Sequence, residues 1–162
     1  MSYDPFTPVY DAIWAALDAS PDFCAAVQPG NRIKMSGENP TPAKTARQDS
    51  DFPEVKIIPT TCGLGQRTST GQGVRQNFML ELITGDLRIQ MGLFPLKFII
   101  LQAILARGPY LGIRGLVNSV TITDLSELPD AKDSSGKAGW TMRMTIGVDI
   151  RLDRAVDLHS RT

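Results

Sequence analysis

The sequence holds one histidine, His159, and two cysteines, Cys24 and Cys62, among 162 residues. General-base chemistry and zinc catalysis normally use an imidazole held in a pocket, and a lone histidine four residues from the end does not fit that role. One histidine and two distant cysteines cannot be written as a zinc site of familiar spacing. Two cysteines are also too few for the disulfide framework of a small secreted domain, so free thiols acting as small packing groups are expected. Net charge is absent as well: 17 lysines and arginines balance 17 aspartates and glutamates. A dedicated nucleic-acid binder needs an excess of cations to neutralise phosphates, although a balanced total leaves room for a local basic patch. The most apolar stretch, residues 93–106, is interrupted by Pro95, Lys97 and Gln102. It falls short of the ~20 residues that span a bilayer. Met1-Ser2-Tyr3-Asp4-Pro5 has no basic region followed by an apolar core, so no secretory signal is expected. The expectation is a soluble product of the cytoplasm, or a part of a particle assembled there.

What is present is ordinary for a globular chain: 42% apolar and 21% charged residues. One domain over residues 1–162 is the natural expectation for this length. Thr7-Pro8 reads as a helix start, a hydroxyl to cap and a proline at the first helical position, with Val9, Ile13 and Leu17 recurring at helical spacing. Ser20-Pro21 repeats the signal for a short second helix, and Pro29-Gly30 stops it. Residues 31–53 carry three prolines and few apolar positions. So long a connection reads as a loop or arm that orders against something else.

Residues 54–61 predict a short strand and residues 62–75 a glycine-rich hairpin tip, with the return strand beginning near Val74. Phe78, Leu80 and Leu82 hold one face of that strand, while Leu87, Ile89 and Met91 have opposite parity. Either Gly85-Asp86 resets the face, which is the reading taken, or the first half is buried on both sides. Residues 95–107 predict a helix whose polar members, Lys97, Gln102 and Arg107, fall on three different sides. A helix without a polar face is normally covered on most sides, here by a sheet beneath and a neighbouring subunit above. Residues 116–125 predict a strand, and residues 126–139 a polar hairpin tip. The strongest signal comes last. Trp140, Met142, Met144, Ile146, Val148, Ile150 and Leu152 alternate with polar residues or glycine, as a long half-buried antiparallel strand requires. Residues 154–162 read as a frayed tail. The expected fold is α+β: an antiparallel sheet of four or more strands with helices packed on one face.

No catalytic constellation emerges. The glycines of residues 63–73 lead into a strand without a Gly-Lys-Ser/Thr, so a phosphate loop lacks its context. The carboxylates Asp124, Glu127, Asp130 and Asp133 lack calcium-loop spacing. Trp14, Phe78, Phe94, Phe98, Tyr110 and Trp140 read as packing groups, not as a ligand box. Glu81, inside an apolar strand, is expected to face an arginine across the sheet or a subunit boundary, since a lone buried carboxylate is costly. Arg88, Arg143 and Arg151 project from polar strand faces, toward DNA if the sheet lines a channel and otherwise toward Asp149 or water. No enzyme, cofactor or metal is expected.

The organisation resembles that of the tail terminator, or tail completion, proteins of tailed bacteriophages. The resemblance is carried by the opening helix Val9-Tyr10-Asp11-Ala12-Ile13-Trp14-Ala15-Ala16-Leu17 and the segment Pro53-Glu54-Val55-Lys56-Ile57-Ile58-Pro59. It continues through Gln76-Asn77-Phe78-Met79-Leu80-Glu81-Leu82, Pro95-Leu96-Lys97-Phe98-Ile99-Ile100-Leu101 and the closing alternating strand. It implies a small α+β subunit of a homohexameric ring at the head-proximal end of the tail. Such a ring caps tail-tube polymerisation and joins the tail to the head connector, with a sheath as further partner in a contractile tail and passing contact with DNA in the lumen. No catalytic residue comes with the resemblance. Residues expected to meet a neighbour are Arg67, Arg75, Glu81, Phe98, Gln102, Arg143 and Arg151. The alternatives are another virion assembly subunit (head completion, tail tube or baseplate) or a small ligand- or peptide-binding module.

Overall fold

The computed structural model describes residues 4–41, 48–67, 71–130 and 138–153. Helix α1 spans Phe6–Asp18 and is opened by Asp4, whose carboxylate accepts from the backbone N–H of Phe6 at 2.8 Å and of Thr7 at 3.2 Å. The N-cap position is Pro5, and Asp4 just before it supplies the accepting carboxylate; Thr7 lies inside the first turn, its hydroxyl donating back to the same carboxylate. Helix α2, Pro21–Ala26, starts as its sequence predicts, with the Ser20 hydroxyl accepting from the Phe23 N–H at 3.2 Å. Helix α3 covers Phe94–Leu105, with Pro95 in its first turn, where a missing N–H costs nothing.

Five strands form one sheet in the order β1-β2-β3-β5-β4, with β1 at Arg32–Ile33, β2 at Glu54–Arg67, β3 at Gly71–Ile83, β4 at Val117–Asp130 and β5 at Gly139–Asp153. Every pairing is antiparallel except that of the two-residue β1, which runs parallel to β2 at Val55 and Lys56. The sheet is thus mixed by one short edge strand, where a purely antiparallel one was expected.

Strand β5 lies inside the sheet and fixes which face is which. Its Met142, Met144, Ile146, Val148 and Ile150 are all fully buried. They stand across from Leu82, Leu80, Phe78, Gln76 and Val74 of β3, and β3 in turn meets Val55 and Ile57 of β2. Onto this floor pack Val9, Ile13, Trp14 and Leu17 of α1, Phe23 of α2, and Leu96, Ile100 and Ile104 of α3. All three helices therefore share one face, as the alternation in residues 140–152 requires.

Four local expectations are corrected. The hairpin tip expected at 62–75 is mostly strand, because β2 runs on to Arg67 and β3 begins at Gly71; only 68–70 remain between them, outside the described residues. The glycines narrow this hairpin, since a Cβ on Gly65 would stand 3.3 Å from the Gly73 backbone. Leu87, Ile89 and Met91 do not belong to a strand that switches face. Strand β3 ends at Ile83, a π-helical turn at Ile89–Leu93 leads into α3, and all three side chains are exposed. That turn closes tightly, with Asp86 receiving the Arg88 guanidinium at 2.7 Å and no room for a Cβ on Gly92, which would meet the Asp86 carbonyl oxygen at 2.0 Å.

The third correction concerns the arm. Its described residues order on their own chain: Asn31 donates to the Ser50 carbonyl at 2.9 Å, Ile33 is buried, and Met35 N–H donates to the Tyr10 hydroxyl at 3.0 Å. Fourth, the tip expected at 126–139 shrinks as β4 reaches Asp130 and β5 starts at Gly139; residues 131–137 lie outside the described residues, as does the tail 154–162 with His159. Two register shifts in β4 explain its irregular pattern. The first lets Val117 and Val120, an odd number apart, both face the core; the second, with Asp124 at φ 51°, turns Leu125 outward.

Met144 sits at the centre of this core. Met144→Ala is expected to lower the free energy of unfolding by about 2–5 kcal/mol in urea denaturation. Met144→Asp is expected to leave no cooperative transition, because the buried charge finds no partner on that face; a folded, soluble Met144→Asp would show the face assignment to be wrong.

Candidate assembly interface

Helix α3 buries Leu96, Ile100, Ala103 and Ile104 against the sheet and turns a second apolar stripe outward. Phe94, Phe98, Leu101 and Leu105 follow one another at steps of four, three and four residues, which on a helix places them in one row. Phe98 is 64% exposed and Leu105 67%, with Phe94 also exposed and Leu101 half-buried. Gln102 is exposed beside them. Exposed Met91 extends the row past the helix start, and Lys97 brackets it, its ammonium 4.7 Å from the Phe94 ring centre and ion-paired to Glu127 of β4.

Between α3 and β4 runs a groove of about 740 Å³, lined by Leu101, Ile104, Leu105, Val120, Ile122 and Leu125. Strand β4 is the last strand of the sheet, and no described strand pairs with its outer edge. Its exposed Leu125 lines the groove, while exposed Leu128, paired with Thr141, stands on the other face of the same edge strand. A long, open strand edge beside an apolar helix stripe is a surface that proteins ordinarily blunt or cover. Phe94, read from sequence as a packing group, is exposed on that surface, as is Phe98, which the sequence also offered as a contact.

The opposite face of the sheet is polar and internally balanced. Glu81, 6% exposed, receives Arg143 at 2.8 Å across β3 and β5 and Lys56 at 3.3 Å from β2. Arg75 pairs with Asp149 at 3.1 Å and donates to the Thr121 hydroxyl; Ser119 donates to the same aspartate. The Arg75 guanidinium lies over Gly147, where a Cβ would stand 2.3 Å from Nη2. Asp149 is therefore the partner of Arg75, and Arg143 that of Glu81. Arg67 and Arg151 are exposed toward the far end of the sheet, where β2, β3 and β5 run on together.

The seven residues singled out in the sequence thus separate into three places. Phe98 and Gln102 lie on the α3 surface; Arg75, Glu81 and Arg143 lie in the balanced networks; Arg67 and Arg151 lie at the far end. Sequence reasoning missed Leu101, Leu105 and Leu125. The spacing of Phe94, Phe98, Leu101 and Leu105 within a helix already lacking a polar face was the signal for the first two. Among the described residues, no group of three or more His, Cys, Asp or Glu side chains is placed to hold a metal ion, and no helix is long and apolar enough to cross a membrane. Cys24 and Cys62 are both free and exposed.

No protein-family model matches the sequence, and no curated protein does. Among solved structures, a chain of the virion of a native gene transfer agent particle is similar, with a TM-score of 0.61 over 93% of this chain and 100% of that one. The two share a fold. At 14% identity the likeness concerns architecture and carries no residue-level correspondence.

The Glu81 network gives a pH dependence. Burial alone pushes the Glu81 carboxyl up, but the Arg143 hydrogen bond and the Lys56 charge outweigh it and hold the group below its ordinary value of 4.5. A carboxyl lowered in the folded state stabilises the fold fully above its unfolded value, and that contribution disappears as pH falls through the folded one. Arg143→Met is expected to cost roughly 1 kcal/mol at pH 7, discounted because Arg143 is half exposed. The difference from wild type should shrink steadily below pH 4.5; an unchanged gap at pH 2.5 would show that the carboxylate is not its source.

Proposed function

We propose that this chain is a structural protein of a phage-like virion, and that its copies join side by side into a closed ring. The observation that carries the reading is the exposed apolar surface formed by the outer row of α3, the groove beside it and the open edge of β4. Monomeric proteins seldom leave so continuous an apolar surface uncovered, and homo-oligomers bury such surfaces between subunits. The shared fold with a chain of a gene transfer agent virion supports placement in a particle of that kind. The order of helices and strands, which resembles that of tail terminator proteins, supports the finer reading. In it a ring, hexameric in that family, sits at the head-proximal end of the tail, ends tube polymerisation and binds the head connector. A polar sheet face in which Arg75 and Arg143 are balanced by Asp149 and Glu81 suits a lumen that DNA passes without being gripped.

The purified protein is expected to run as a ring-sized oligomer in light scattering. Replacing Phe98 and Leu105 together by Glu should shift it to monomer by at least tenfold in apparent affinity. Its melting temperature should stay within a few degrees of that of the dissociated wild-type subunit, since both side chains are mostly exposed. A wild-type protein that stays monomeric at several hundred micromolar would overturn the ring reading.

A further inference from the structure

The sheet has a second open edge. Strand β1 covers β2 only at Val55 and Lys56, and every residue from Pro59 to Gly65 is exposed. Pro59 itself is a residue that sheets tolerate at edges, because it removes one ladder donor. On this edge stands Leu64, 82% exposed and the most exposed large apolar side chain among the described residues. Its register partner is Val74, which is buried and paired in turn with Ile150, so Leu64 belongs to the face of the sheet that carries the helices. The groove between α3 and β4 opens on that same face at the opposite edge.

Strand directions complete the match. Counting across the sheet, β2, β3, β5 and β4 alternate, so β4 and β2 run in opposite senses. Two copies in the same orientation therefore bring β4 of one alongside β2 of the next as an antiparallel pair with the helix layers on one side. Level placement would set Leu64 beside Val117, its neighbour in register through Val74 and Ile150, so seating it at Val120–Leu125 slides the next copy along the strands by roughly 10–25 Å. The contact uses two different surfaces, and a heterologous contact of this kind closes into a ring when the rotation between neighbours returns to the first copy.

We infer that Leu64 of one copy seats in the groove between α3 and β4 of the next copy, with the β2 and β4 edges lying alongside each other. This rests on the ring reading and names its contact. The knob is one leucine on a glycine-flanked hairpin, narrow enough to enter a groove; the hole is lined mostly by leucine, isoleucine and valine, together with Thr123 and Asp124. An aliphatic anchor in an apolar pocket is a common source of binding energy at an interface.

The test uses the full-length chain with Cys24→Ser and Cys62→Ser, and two single variants in that background, Leu64→Cys and Leu125→Cys. Under mild oxidation, the mixture of the two is expected to give a disulfide-linked dimer that neither variant forms alone. A chain carrying both changes should give a ladder that ends at the ring number. Leu64→Asp, which alters an exposed position, should keep the wild-type circular dichroism and weaken self-association roughly 30-fold. If rings of wild-type size form but the mixture cross-links no better than Leu64→Cys with Asp22→Cys, the contact is wrong and the ring reading stands. Leu64→Asp assembling as well as wild type would overturn the contact in the same way. A wild-type chain that remains monomeric would overturn both.

Discussion

The alternation of β5 is the constraint on which the rest of the structure depends. Five fully buried side chains from Met142 to Ile150 point to one side, and the intervening residues point to the other. Because β5 is an inner strand, its register dictates that of β3 and β4, and through β3 that of β2. A sheet apolar on one face alone needs one layer of cover, and α1, α2 and α3 supply it. The other face is left polar, and its charges neutralise one another within the chain: Arg143 and Lys56 on Glu81, Arg75 on Asp149.

Three helices do not cover so long a sheet. Helix α3 has no continuous polar face, yet the sheet occupies only the side with Leu96, Ile100 and Ile104. Its outer row, the groove beside β4 and the bare β4 edge follow from that excess, as does Leu64 on the hairpin that overshoots the helices. The apolar area lies along the edges and the helical layer, and the polar area on the free sheet face. In the proposed ring, a subunit patterned this way is stabilised by neighbours at its sides, and its polar face is left to water or to whatever passes through.

Much of this was legible in the sequence, and the failures have physical causes. The period of two in residues 140–152 gave β5 to within a residue, because a half-buried strand has no other way to satisfy both faces. Ser20-Pro21 and Pro95 marked helix starts through the chemistry of the first turn. The expected turns are too long because Gly63, Gly65, Gly71 and Gly73 signal bends locally; here they lie within paired strands, with Gly65 close against the Gly73 backbone. Leu87, Ile89 and Met91 mimicked a strand because three residues at period two also fit a loop and a single π-turn. Strand β1 has two residues and no pattern to read. The exposed apolar surface was half visible: Phe98 and Gln102 stood out on a helix with no polar face, whereas Leu125 depends on the bulge at Asp124, which no local pattern announces.

The most direct test of the account is amide hydrogen exchange measured on the same protein when dilute and when assembled. The account predicts that assembly slows exchange in β4, from Ile122 to Leu128, and in β2 from Ile58 to Leu64, while the inner strand β5 is unchanged. An oligomer whose β4 and β2 peptides exchange as fast as in the dilute protein would contradict it.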